Sequence, residues 1–131
     1  MTGSHAYRTF TARQRDWLFG TNPWGTSMFT GLGAVAPTDV HIPAIQIRKI
    51  PVPGGLVDGP VQEGIFTSLK GVSLSKPDAF AIFQSPEAVY HDDWQDYATN
   101  EPTMDGTASA ILLMALQRRS VIAAGSANRG R

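Results

Sequence analysis

Between Tyr90 and Ala110 the chain reads YHDDWQDYATNEPTMDGTASA, in which Asp92, Asp93, Asp96, Glu101 and Asp105 crowd around Tyr90, Trp94 and Tyr97. Acidic residues at this density read in one of two ways: a solvated loop that happens to precede a helix, or carboxyl groups gathered to move protons. The flanking residues favour the second. Asn100 as an N-cap and Pro102 at a first helical position would place Glu101 at a helix N-terminus, one loop away from Asp92. Two carboxyl groups would then converge beside the flat apolar faces of Tyr90, Trp94 and Tyr97. Cleavage of a glycosidic bond uses that combination: one carboxyl group protonates the leaving oxygen, another activates water, and aromatic rings hold the sugar.

The same residues resemble the second active-site signature of the family 9 glycoside hydrolases, which include many cellulases. Tyr90 and Asp92 stand at its opening aromatic and Asp, Tyr97 at its second aromatic, Glu101 at its catalytic Glu, and Thr103 and Ala108 at its small residues. Thr107 stands where the signature has Asn, as in the branch of the family that reads NEPTMDGTAS. Ser27, Phe29, Thr30, Gly33, Val40 and His41 likewise resemble the first signature, with two departures: Val35 replaces a polar or basic residue, and Pro43 replaces an Arg. The resemblance implies that Glu101 is a general acid, that Asp92 assists it and shapes the −1 sugar position, and that His41 contacts substrate. Arg48 is a weak substitute for the lost cation. Trp24, after Asn22-Pro23, is either a buried structural aromatic or a sugar-stacking platform. The stretch PGGLVDGP resembles the family's cleft-side loop and so brings Asp58 near the site. It lacks the Gly-Lys-Ser/Thr ending of a phosphate loop.

Family members invert the anomeric centre, and their water-activating Asp comes from a DAGD-like motif early in the domain. No such motif occurs here. In inverting sites the acid and base stand about 6.5–9.5 Å apart to admit water. The resemblance therefore implies a chain that supplies the general-acid half of a site hydrolysing β-1,4-glycosidic bonds in a glucan. The alternative is a non-catalytic carbohydrate-binding or structural module derived from such an enzyme. No cofactor is needed for this chemistry. A structural calcium belongs, if anywhere, to the complete domain, and no metal site is assigned here; Asp58 and Glu63, five apart without an EF-hand pattern, read as surface residues. The implied partners are a β-glucan or related oligosaccharide and the rest of the catalytic domain, and the implied location is secreted, periplasmic or cell-surface.

The elements that must position these residues are short. With 131 residues and 42% hydrophobic content, the chain has the material for one domain with a moderate core. Eleven basic residues balance eleven acidic ones, which argues against nucleic acid or an anionic membrane as partner. The absence of Cys excludes disulfides and thiolate chemistry. No apolar run has the length to span a bilayer, and the N-terminus lacks a hydrophobic signal core.

Thr11 as cap and Gly20 as stop predict a helix over 11–19. Gly20 to Gly33 reads as tight turns around an extended piece at Ser27–Thr30, and the Pro-rich 34–60 as irregular or edge-like chain. A short helix is expected within Val61–Leu74, and another from Pro77, capped by Ser75 and carrying Phe80, Ile82 and Phe83. The strongest element is Thr103–Arg119, apolar on nearly every side and so in need of burial on every side. The family's fold is an (α/α)6 barrel, and twelve helices of about twelve residues exceed this chain before any loop is counted. The expected class is thus mainly α: a C-terminal fragment of that barrel, spanning 11–119, with long Gly/Pro-rich active-site loops. Residues 1–10 and 120–131 are expected as flexible tails.

Overall fold

The computed structural model describes residues 7–128, with side chains described as far as residue 119. Four helices form: α1 at Arg8–Leu18, α2 at Pro43–Arg48, α3 at Glu63–Ser68 and α4 at Met104–Asn128, with a 3-10 turn at Ala81–Phe83. Among the described residues there is no strand, only isolated antiparallel bridges. Long loops join the helices, as the Gly and Pro content requires.

The centre of the loop region is an extended piece at Leu56-Val57. Leu56 bridges to Phe29, and Val57 bridges to Pro102. Backbone bonds run from Thr30 N–H to the Gly55 carbonyl at 2.9 Å and from Val57 N–H to the Met28 carbonyl at 3.0 Å. On its other side Asp58 N–H reaches the Glu101 carbonyl and Thr103 N–H the Leu56 carbonyl, both at 3.0 Å. Prolines at 51, 53, 60 and 102 lack the N–H that a longer ladder would need, which keeps these contacts short. Gly55 sits where the pieces touch most closely: a Cβ there would lie 3.0 Å from the Pro102 Cβ.

Packed against this centre is a small core of Trp24, Met28, Val40, Val57 and Tyr90. The Tyr90 ring stands 5.8 Å from those of both Trp24 and Phe80. Gln84 satisfies the polar edges of this cluster. Its Oε1 accepts from Trp24 Nε1 at 2.9 Å and from the Tyr90 N–H at 3.1 Å, and its Nε2 donates to the Tyr90 carbonyl at 2.6 Å.

Several local expectations change. Thr11 lies inside α1 and turns its hydroxyl back onto the carbonyls of Tyr7 and Arg8, both at 3.0 Å, so it does not cap. Gly20 does follow the helix, at φ +113. The Pro-rich segment contains α2, because Pro43 occupies the helix start, where its missing N–H costs nothing, and Lys49 closes the helix at φ 54. α3 falls inside the predicted range. The helix expected from Pro77 reduces to the 3-10 turn, because Ser75 donates to Asp93 instead of capping.

Asn100 and Pro102 do not open α4 either. Pro102 is held in the bridge to Val57, and α4 begins at Met104, so Glu101 lies ahead of the helix. α4 continues beyond the expected Arg119 boundary to Asn128, which makes 120–128 helical; residues 1–6 and 129–131 lie outside the described residues. α1 meets α4 through polar contacts, Gln117 Nε2 donating to the Thr11 carbonyl at 2.9 Å. Much of the α4 apolar surface has no cover among the described residues: Ile111 is 65% and Leu112 60% exposed.

Candidate functional site

Glu101 is presented by an extended segment gripped from both sides. The His41 N–H donates to the Asn100 carbonyl at 2.9 Å, and the Asp58 N–H donates to the Glu101 carbonyl at 3.0 Å. The residue is half-buried, and its carboxyl group makes no hydrogen bond or ion pair among the described residues. The three aspartates upstream are in the opposite condition.

Asp92 accepts from Thr38 N–H at 3.0 Å, the Thr38 hydroxyl at 3.0 Å, Asp39 N–H at 2.9 Å and Asn100 Nδ2 at 3.2 Å. It therefore ties the loop leading to His41 onto the segment that carries Glu101. Asp93 is buried and accepts from Ser75 N–H at 2.7 Å, the Ser75 hydroxyl at 2.8 Å, Lys76 N–H at 3.2 Å and Gln95 N–H at 2.9 Å. Burial pushes the Asp93 carboxyl up, yet the bonds from Gln95, Ser75 and Lys76 outweigh it and hold the group below the ordinary carboxylate range. Asp96, fully buried, accepts from Ala98 N–H, Thr99 N–H and the Thr99 hydroxyl, and pairs with His91 Nδ1 at 2.8 Å.

The aromatics divide in the same manner. Tyr90 is 0% exposed and gives its hydroxyl to Asn100 Oδ1 at 3.0 Å, and Trp24 belongs to the core. Neither ring faces solvent: the expectation that Tyr90 stacks on sugar is corrected, and of the two readings of Trp24 the buried structural aromatic is the one that its burial fits, the size and apolarity of both being used in packing. Burial, with Asp92 and Asp96 adding, pushes the Tyr90 phenol up, so it stays a neutral donor. Trp94 and Tyr97 are 43% and 40% exposed. Tyr97 meets His41 edge-on with ring centroids 6.1 Å apart, and His41 Nδ1 lies 2.6 Å from the Trp94 carbonyl. A carbonyl only accepts, so Nδ1 carries the hydrogen and the neutral ring presents Nε2 as an acceptor.

Asp58 is exposed, beside Glu101. Burial of part of its surface pushes its carboxyl up, the Thr103 side chain opposes this by hydrogen bonding, and Glu101 and Asp105 push it further up. Arg48 is exposed in the last turn of α2 and carries no contact that joins it to Glu101. Glu101, His41, Trp94, Tyr97 and Asp58 thus form one neighbourhood, with Asp92 as its internal tie.

Sequence reasoning missed Asn100 as a hub. Besides its bonds to Tyr90 and Asp92, its Nδ2 donates to the Asp39 carbonyl at 3.0 Å. Its position directly before Glu101 was the available signal. Also missed was Asp39, which pairs with Lys76 at 2.9 Å. A cavity of about 760 Å³ lies elsewhere: it is an apolar groove between α4 and the loops bearing Phe29, Ile42 and Val52. None of the candidate site residues lines it. Among the described residues no group of three or more His, Asp or Glu is placed to hold a metal ion, and no helix is long and apolar enough to cross a membrane.

The model of glycosyl hydrolase family 9 matches residues 1–114. A xyloglucan-specific endo-β-1,4-glucanase from Bacteroides ovatus is 32% identical over 86% of this chain and 18% of its own length. Endoglucanase 2 from Oryza sativa subsp. japonica is 31% identical over 100% of this chain and 20% of its own. The crystal structure of the family 9 endoglucanase J30 superposes with a TM-score of 0.67 and 32% identity, covering 89% of this chain and 20% of that one. The chain therefore spans about a fifth of the length of these relatives. Its helices and long loops are those of a fragment of the family's (α/α)6 barrel. A match over most of the chain, agreeing in sequence and in structure, makes this polypeptide a member of glycosyl hydrolase family 9.

Proposed function

We propose that this chain contributes the general-acid half of a site that hydrolyses β-1,4-glycosidic bonds in a glucan with inversion, the water-activating carboxylate coming from the remaining part of the catalytic domain. The observation that carries this reading is the contrast among the acids. Asp92, Asp93 and Asp96 have their oxygens occupied, whereas Glu101 is held by its backbone and keeps its carboxyl group unengaged among the described residues. An acid that must give a proton to a leaving oxygen needs that freedom and that fixed position. In this reading Trp94 and Tyr97 offer ring faces to the sugar, His41 accepts a hydrogen bond from a sugar hydroxyl at Nε2, and Asp92 acts as a positioning residue. A polymeric substrate also favours a secreted, periplasmic or cell-surface enzyme.

The test uses the complete catalytic domain containing this chain. Glu101→Gln should lower kcat on soluble β-1,4-glucan by about 10²–10⁴-fold with little change in KM. Turnover at the parent rate would sink the assignment.

A further inference from the structure

The bridge between Val57 and Pro102 determines which side chains share a face. With Asp58 N–H bonded to the Glu101 carbonyl and Thr103 N–H to the Leu56 carbonyl, Asp58 lies directly opposite Glu101 in an antiparallel register. Val57, one residue earlier, points the other way into the core. Residues directly opposed in such a pair have Cβ atoms about 4.5–5.5 Å apart, and like charges so placed repel. No cation offsets this repulsion among the described residues. The ion pairs there are Arg15 with Asp16, Lys76 with Asp39, and His91 with Asp78 and Asp96.

The other elements around the pair offer little relief. α4 brings Asp105 in its first turn, which adds negative charge, and Thr103 supplies only a neutral hydrogen bond to Asp58. His41, on the far side of the segment, has its Nδ1 committed to the Trp94 carbonyl. An Asn at position 58 would keep the backbone bond to Glu101 and a partner for Thr103 without repulsion, so the fold does not call for a carboxyl group there.

We propose that Asp58 is a charge partner of Glu101: set opposite it, the Asp58 carboxylate repels that of Glu101 and so helps keep a proton on the pair. Like charges set opposite each other across a bridge disfavour one another, so neutralising either relieves the other. The upward push on the Asp58 carboxyl, first by burial and then by Glu101 and Asp105, agrees with this. Asp58 is a positioning residue for charge, not a group that touches the reacting atoms. The use of the proton in glycoside cleavage rests on the function proposed above; the pairing does not.

The experiment follows side-chain carboxyl carbons by NMR as a function of pH in the complete catalytic domain containing this chain. Glu101→Gln should move the Asp58 titration down toward that of an ordinary Asp, and Asp105→Asn should move it less. An Asp58 titration unmoved by Glu101→Gln overturns the proposal. A double-mutant cycle in thermal unfolding gives a second reading that does not depend on assigned spectra. At pH 7 Asp58→Asn and Glu101→Gln should each raise Tm, with the double variant gaining less than the sum; additive gains overturn the pairing. The gains should shrink as the pH is lowered, because protonation removes the repulsion that the substitutions relieve. Neither readout involves hydrolysis, so loss of the glucanase reading and loss of the pairing remain distinguishable.

Discussion

Asp93 shows how a buried carboxylate is kept ionised: donors converge on it from Ser75, Lys76 and Gln95 and outweigh the cost of burial. A carboxyl group whose folded value lies below its unfolded one stabilises the fold above about pH 4, and that contribution disappears as pH falls through the folded value. Asp93→Asn should therefore cost about 1–3 kcal/mol at neutral pH. The cost should dwindle in acid, which urea unfolding at pH 7 and at pH 3 would reveal; an equal cost at both would contradict it. Asp92→Ala removes the acceptor for Thr38, Asp39 and Asn100 together. Because Asp92 is only half-buried and water can replace part of it, the expected loss is about 1–2 kcal/mol. The sharper sign is local: amide exchange at residues 38–41 should accelerate well beyond that at α1. Uniform acceleration would argue against a specific tie.

At the scale of elements, α4 and the central extended piece are joined, among the described residues, by a side-chain bond. The Leu56 N–H donates to the Thr107 hydroxyl at 3.0 Å. Thr107 stands where the family signature has Asn, and its hydroxyl gives the neighbouring loop an acceptor in that place. Thr107→Val keeps the shape and removes the acceptor, so it should cost about 1–3 kcal/mol, with faster exchange of the Leu56 amide. Thr107→Ser, which keeps the hydroxyl, should retain most of the protection. A Val variant as stable as the parent would show that the helix and the extended piece are held by packing alone.

At the scale of the molecule the exposed face of α4 dominates. Ile111 lines an apolar groove of about 760 Å³ whose walls include Phe29 and Met114, Leu112 is exposed beside it on the helix, and exposed apolar area of this kind drives association. The chain in isolation should elute well above its 14.1 kDa and bind an apolar dye. Ile111→Gln with Leu112→Gln should reduce both. Clean monomeric behaviour with cooperative unfolding of the unmodified chain would mean that α4 needs no further cover. The same chain should show no measurable hydrolysis of soluble β-glucan, since the DAGD-like carboxylate is not in it. Robust turnover abolished by Glu101→Gln would place the base within these 131 residues.

What the sequence determined by itself was identity at the level of residue type and spacing. Glu101, His41 and the signature around them pointed to the family, and the apolar run from Ala110 to Leu116 pointed to a helix. Such signals are local or strictly spaced, so they survive without coordinates. Tertiary structure alone decided which members of a chemically uniform set were free to act. Tyr90 and Trp24 look like Trp94 and Tyr97 in sequence, yet the first two fill the core and the second two face solvent. The acids sort in the same fashion by what lies opposite them. Thr38, Ser75 and Thr99 claim Asp92, Asp93 and Asp96, and nothing among the described residues claims Glu101. Pro102 illustrates the physical reason. Its fixed φ suits a helix start and an extended edge about equally, and only the presence of Val57 beside it, brought from far along the chain, selected the edge and placed Glu101 outside the helix.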